Sequence, residues 1–279
     1  MTLLSAQTRI ALIGGGKMGE AIMGGWIASD TYPASVLSAS NFVVANLGLP
    51  RRNYLEETYG VSCVEQACDI EAVDLVVLAV KPQVMMGMLE TIKDLPQYAN
   101  ALYVSIAAGL STERLQTALP SGVHLVRTMP NTPLLVGQGA TTVCASQTST
   151  DADIELIRDL FACLGKAFVV NEDDMDVTGA ISGSGPAYVA AMIEALTAAG
   201  SKQGLDAQLA EQLALQTVRG TAMLIDETGK SPEETRVAVC SPGGSTLAAL
   251  AAMDECGFTQ AYEAGVTAAV RRSKELGAC

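Results

Sequence analysis

Histidine occurs once in this 279-residue chain, at His124. Chemistry that needs a histidine base or a histidine-rich metal cluster must use that side chain or be absent. His124 lies inside "GVHLVR", an expected strand, where a core or surface role outweighs a catalytic one. The seven cysteines (Cys63, Cys68, Cys144, Cys163, Cys240, Cys256, Cys279) include no CxxC pair, and the nearest two are five positions apart. Neither a metal site nor a disulfide framework follows, and reduced cytoplasmic thiols are the plain expectation. No apolar run of about 18 residues occurs. The start, "MTLLSAQTRIALIGGG", lacks the features of a secretory signal, so a membrane or secreted location is not expected. Positive charge is also short: 17 Lys and Arg against 30 Asp and Glu leave a formal charge of −13. Such a chain repels nucleic acid, and no basic stripe offsets that.

What is present is an alternation. "RIALIG", "NFVVAN", "VDLVVLAV", "ALYVSIAAG", "VHLVRTMP", "GATTVCAS" and "KAFVV" read as strands, several of them apolar enough to be buried on both faces. Helical patterns run from Lys17 to Ala28 and through "LPRRNYLEETYG", "STERLQTALP" and "DADIELIRDLFACLG". That order predicts an α/β class with a parallel, doubly wound sheet. After Val170 come Ala-, Leu- and Met-rich helical stretches, about 173–181, 186–203, 206–228, 231–239, 245–255 and 259–276. Two domains are expected, 1–170 and an all-helical 171–279. A helix such as "PAYVAAMIEALTAAGSKQG" carries more apolar surface than one small bundle covers, and a partner subunit would bury it.

"IALIGGGKMGEAIMGGW" places Gly14, Gly16 and Gly19 in a G-x-G-x-x-G turn between a strand and a helix, with Lys17 and Met18 inside it. The first glycine allows the tight turn, the second lets a diphosphate approach the backbone, and the third packs helix on strand. At the end of the second strand a carboxylate would read a free ribose diol. This chain has Asn46, followed by Arg51 and Arg52, which suits a 2′-phosphate better. NADPH is therefore the expected cofactor, with NADH as the alternative. Ligand crevices in such sheets lie past the carboxyl ends of the strands. Ala79, Val80, Lys81 and Pro82 of "LAVKPQ" and Ala107 and Ala108 of "SIAAG" should line that edge, with Pro82 stopping its strand and fixing a loop. For Asn131 of "RTMPNTP", recognition and turn formation stand as equal readings.

A second glycine-rich helix start, "CSPGGSTLAALAAMDE", stands near the end of the chain. The N–H groups of Gly244, Ser245 and Thr246 could hold an anion there, or the turn could be a plain helix cap. With no histidine to take a proton, reduction of a protonated C=N bond fits better than oxidation of an alcohol. A substrate carboxylate would then be the second anion, with the Thr246 hydroxyl beside the ring nitrogen.

In this order "IGGGKMG", "AVKP", "SIAAG", "MPNTP", "SGSGPAY" and "SPGGSTLAAL" resemble pyrroline-5-carboxylate reductase from Arg9 to about Leu276. The resemblance implies an N-terminal Rossmann-type domain and a C-terminal helical dimerisation domain. It also implies NAD(P)H-dependent reduction of 1-pyrroline-5-carboxylate to L-proline, the last step of proline synthesis. By position it implies substrate contacts at Val239, Ser241, Ser245 and Thr246 and a carboxylate near the ring at Glu227. It further implies a homodimer with shared active sites, and in many members five dimers forming a decamer. The chain departs from the family pattern at "TRVAVCSPGG", where Val237 and Ala238 replace polar residues, and at Ser245. Two rivals remain. A β-hydroxyacid dehydrogenase would carry a lysine in "SGSGPAYVAAMIEAL", which has none. A non-catalytic NADPH-binding redox sensor would share the first site but need no second one.

Overall fold

The computed structural model describes residues 4–278. The chain forms two compact units. One runs through Ser184 and takes up the chain again from Ala269; the other is Gly185–Ala268. The texture change near residue 170 marks the end of the strands, while the first compact unit continues fourteen residues further, through Ser184, so the expected division at 170/171 and the compact units do not coincide.

The first unit is built on strands β1 (Ile10–Ile13), β2 (Phe42–Ala45), β3 (Ser62–Val64), β4 (Leu75–Leu78), β5 (Leu102–Ser105), β6 (Leu125–Met129), β7 (Gly139–Ala145) and β8 (Gly165–Val170). They form one sheet in the order β3-β2-β1-β4-β5-β6-β7-β8. Helices α1 (Lys17–Ile27), α2 (Leu49–Tyr59), α3 (Pro82–Glu90), α4 (Thr112–Ala118) and α5 (Asp151–Ala162) join them. The chain reverses its direction of strand addition between β1 and β4, which pair parallel with Ile13 beside Leu78. That reversal opens a crevice past the carboxyl ends of both strands.

Two expectations change. The sheet is parallel except where β6 meets β7, which pair antiparallel. Only a short 3-10 turn, Thr132–Val136, lies between those strands, too little chain for the crossover that a parallel pair needs. Pro82 does not fix a loop. It opens α3 behind Lys81, because the first helical position needs no N–H and favours the ring's fixed φ.

A hydrophobic core covers each face of the sheet. On one, Trp26 of α1 lies edge-on to Phe161 of α5, ring centroids 5.6 Å apart, and its indole donates to Leu160 O at 2.9 Å. On the other, Tyr98 and Tyr103 are buried with their hydroxyls donating to Ala67 O (2.6 Å) and Tyr98 O (3.0 Å). Helix α6 (Met175–Thr178) continues into a π-helical turn, Gly179–Gly183, which packs on Met129 of β6.

The second unit holds α7 (Gly185–Lys202), α8 (Ala207–Thr228), α9 (Pro232–Ala238), α10 (Ser245–Glu255) and most of α11 (Phe258–Ala278). α7 and α8 pack together through small residues, with Ala210 close to Gly200. Ser231 and Glu234 form a capping box that starts α9. Leu209, Leu213 and Leu224 of α8 are exposed, and their spacing puts them on one helix face.

Candidate functional site

At the carboxyl end of β1 the chain turns so tightly that only glycine fits. Gly14 has φ +109°, and a Cβ there would lie 2.6 Å from Ala79 C. Gly14 N–H donates to Ala45 O and Ala79 N–H to Ile13 O, so the ends of β1, β2 and β4 are laced together at this point. A Cβ on Gly19 would lie 2.4 Å from Gly14 O, which explains a glycine where α1 crosses its own strand. Gly16 differs: a Cβ there would meet nothing within 4 Å. It is exposed and is the N-cap of α1, with no side chain capping the helix. The amides of the first turn, at Lys17, Met18 and Gly19, therefore face an open cradle that a diphosphate fits.

Around this turn stand the other expected nucleotide residues. Ala79 and Val80 are half-buried directly after β4, and Lys81 is exposed at the start of α3 beside Pro82. Ala107 is buried and Ala108 half-buried after β5, where Ala107 N–H donates to Ser105 Oγ at 3.3 Å. Asn46, half-buried at the end of β2, directs its amide to Gly48 O at 3.4 Å. Arg52 donates to Asn46 O (2.7 Å) and Leu47 O (2.8 Å), stiffening the β2–α2 loop, and pairs with Glu65 at 3.3 Å. Arg51 donates through Nε to Gly15 O at 2.5 Å and through Nη2 to Glu20, with Tyr54 beneath its guanidinium at 5.0 Å.

Glu20, Tyr54 and Tyr59 were not expected from the sequence. Glu20 accepts from both tyrosine hydroxyls, at 2.9 and 3.0 Å, as well as from Arg51. Burial works to raise its pKa, but those three donors outweigh it and hold the carboxyl below the ordinary glutamate value. Tyr59 moves the other way, pushed up to about 12 by burial and by the Glu20 carboxylate. A signal existed: an acid four residues after Gly16 opposes an anion at that helix start unless a cation covers it.

Asn131 is buried, and its side chain is spent on the protein. Oδ1 accepts from Ala140 N–H at 2.8 Å and Nδ2 donates to Ser182 O at 2.9 Å. It pins the start of β7 and the π-helical turn to the end of β6, which is the turn-forming reading. His124 precedes β6 at the amino edge, opposite the crevice, where Nδ1 lies 2.7 Å from Asp153 Oδ2. Arg127, Glu172 and Cys144 form an interior group, with Arg127 paired to Glu172 and the Cys144 thiol donating to it at 3.3 Å. Burial, and then the Glu172 charge, push that thiol up to about 12.

In the second unit, Gly243 takes φ +69° and Gly244 is the N-cap of α10. The Gly244 N–H donates back to Ser241 O at 2.9 Å, so it closes the turn and is not free for an anion. The open donors of this helix start are Ser245, Thr246 and Leu247 instead, since α10 has no side-chain cap and its first internal bond is made by Ala248. Thr246 is half-buried, and Val239, Ser241 and Ser245 are exposed beside it. Glu227 is exposed in the last turn of α8. The described residues hold no cluster of three or more metal-ligating side chains, and no described helix is long and apolar enough to cross a membrane.

Known proteins match both ends of the chain. Residues 172–276 match the family described as pyrroline-5-carboxylate reductase dimerisation. Residues 9–109 match that described as NADP oxidoreductase, coenzyme F420-dependent. The pyrroline-5-carboxylate reductase of Synechocystis is 41% identical over 96% of this chain and 98% of its own length. Among solved structures, a pyrroline-5-carboxylate reductase from Coxiella burnetii superposes with a TM-score of 0.86 at 34% identity, covering 97% of this chain and 98% of the other. The Plasmodium falciparum pyrroline carboxylate reductase with NADP bound superposes at 0.85 with 29% identity, over 98% and 100% of the two chains.

Proposed function

Because this chain belongs to the pyrroline-5-carboxylate reductase family, we propose that it reduces 1-pyrroline-5-carboxylate to L-proline with NADPH through the residues assembled above. The observation that carries the nucleotide half is the cradle at Gly14–Gly19, where Gly16, alone among the glycines of that turn in having open space where a Cβ would stand, opens the uncapped start of α1. The first-turn amides would hold the diphosphate, Ala79–Pro82 and Ala107–Ala108 would form the wall past β4 and β5, and Arg51 and Arg52 would meet the adenosine 2′-phosphate. NADH lacks that phosphate and is the weaker cofactor in this reading.

A reduced dinucleotide bound there would supply the hydride for the imine carbon. The open amides of Ser245, Thr246 and Leu247 hold the substrate carboxylate without a cationic side chain. The protonated imine nitrogen donates to the Thr246 hydroxyl, which fixes the ring and its charge. As the hydride bonds to the imine carbon, the C=N π pair becomes the nitrogen lone pair. No proton moves in that step, so a chain whose one histidine is tied to Asp153 lacks nothing the reaction needs. Val239 and Ser241 border the turn, and Glu227 stands near the ring. The assembly in this reading is a cytoplasmic homodimer with shared active sites, joined in fives as a decamer.

Thr246→Ala tests the substrate half. Losing one hydrogen bond to the reacting group should lower kcat/KM for the imine by about tenfold or more, with the NADPH dissociation constant unchanged. An unaltered kcat/KM would remove Thr246 from the site.

A further inference from the structure

The nucleotide turn contains a carboxylate that the reaction does not call for. Glu20 sits in the first turn of α1, four residues beyond Gly16, where the helix start favours an anion and a second negative charge opposes one. Its side chain is only 16% exposed, yet it makes no backbone cap. Instead it gathers three donors from α2: Arg51, Tyr54 and Tyr59. The two tyrosine hydroxyls meet one carboxylate oxygen, Oε1, and Arg51 meets the other, Oε2.

The consequence falls on Arg51. Nε is bound to Gly15 O and Nη2 to Glu20, while the guanidinium lies over the Tyr54 ring. An arginine held along one edge and across one face has lost the freedom of its long stem. Only Nη1 keeps no hydrogen-bond partner among the described residues. Gly15 itself sits against Asn46 and Leu55, at the end of β2 where an adenosine ribose is read.

We propose that Glu20 is a positioning residue for cofactor choice: buttressed by Tyr54 and Tyr59, it fixes the Arg51 guanidinium with Nη1 turned out for a phosphate on the adenosine ribose. This rests on the reading of Arg51 given above. Glu20 touches neither the reacting atoms nor, in this arrangement, the phosphate. Its effect is to make one cation rigid, so that NADPH gains a preformed contact and NADH gains nothing.

The test is a set of dissociation constants for NADPH and NADH on the full-length protein, with KM for each at saturating imine. Glu20→Ala should weaken NADPH by about fivefold, as expected for one charge-assisted hydrogen bond, and NADH by less than about twofold. Glu20→Gln, which keeps the shape and loses the charge, should fall between. In an Arg51→Ala background, Glu20→Ala should add nothing further for NADPH, because the group it positions is gone. NADH binding serves as the control for an intact turn. Equal weakening of both cofactors would make Glu20 a support of the glycine turn alone and overturn the proposal. Tighter NADPH binding would overturn it too, since the carboxylate would then be repelling the phosphate. If Arg51→Ala weakens NADPH selectively and Glu20→Ala does not, only Glu20 is lost from the account. If Arg51→Ala spares the preference, the reading of the arginine fails and this inference falls with it.

Discussion

The two units of this chain bury their side chains to very different extents. In the strand-bearing unit, large residues such as Trp26, Tyr98, Tyr103 and Phe161 are fully buried on both faces of the sheet, and their polar atoms find backbone partners. Among Gly185–Ala268, only Ala210, Ala214 and Thr235 are buried, while Val189, Leu196, Leu213, Leu224, Met253 and Phe258 stand exposed. A segment that apolar cannot offset its chain entropy by itself. The first unit is a completed core, and the second is half of one. Membership in a family whose matched region is described as a dimerisation region explains the difference.

The two helix starts with open amides, at α1 and α10, differ in the same way. The nucleotide turn is over-determined, since Gly14, Gly19, Ala79, Arg51 and Glu20 all constrain it within one core. The turn before α10 is held by a single backbone bond, from Gly244 N–H to Ser241 O, and by the positive φ of Gly243. A rigid site suits a cofactor that every turnover requires.

The sharpest way to break this contrast is on α8. Replacing Leu213 and Leu224 by Asp removes two side chains from each subunit, each contributing about 2 kcal/mol when buried, so association should weaken by at least about a thousandfold. Light scattering should then show a monomer without reductase activity, while NADPH still binds within about threefold of the parent. Unchanged assembly would mean that the exposed face of α8 is not the surface a partner covers. Trp26→Ala sharpens the other side. A cavity in the finished core should cost about 3–5 kcal/mol, read as a fall in Tm that does not change with protein concentration. A concentration-dependent shift there would show that the first core also leans on assembly.

Much of this was legible because it is written locally. The glycine turn, the apolar strands and the helix starts at Ser111, Thr150 and Ser231 each carry their signal within a few residues. What escaped depends on partners far apart in the chain. β3 is three residues long and is recognisable only by its pairing with β2. The antiparallel turn at β6–β7 follows from a connection length that the strand pattern hides. Glu20 and Arg51 are 31 positions apart, and each alone reads as a solvated charge. The committed N–H of Gly244 was missed for a different reason: the sequence shows a turn, but not which amide closes it.

A reduced dinucleotide whose diphosphate is held at the Gly14–Gly19 turn should be oxidised by a cyclic imino acid. An initial-rate assay with purified protein, NADPH and 1-pyrroline-5-carboxylate tests it most directly. Nicotinamide absorbance should fall as L-proline appears, mole for mole, and faster than with NADH. Protein that binds NADPH but leaves it unoxidised with the imine present would contradict the account.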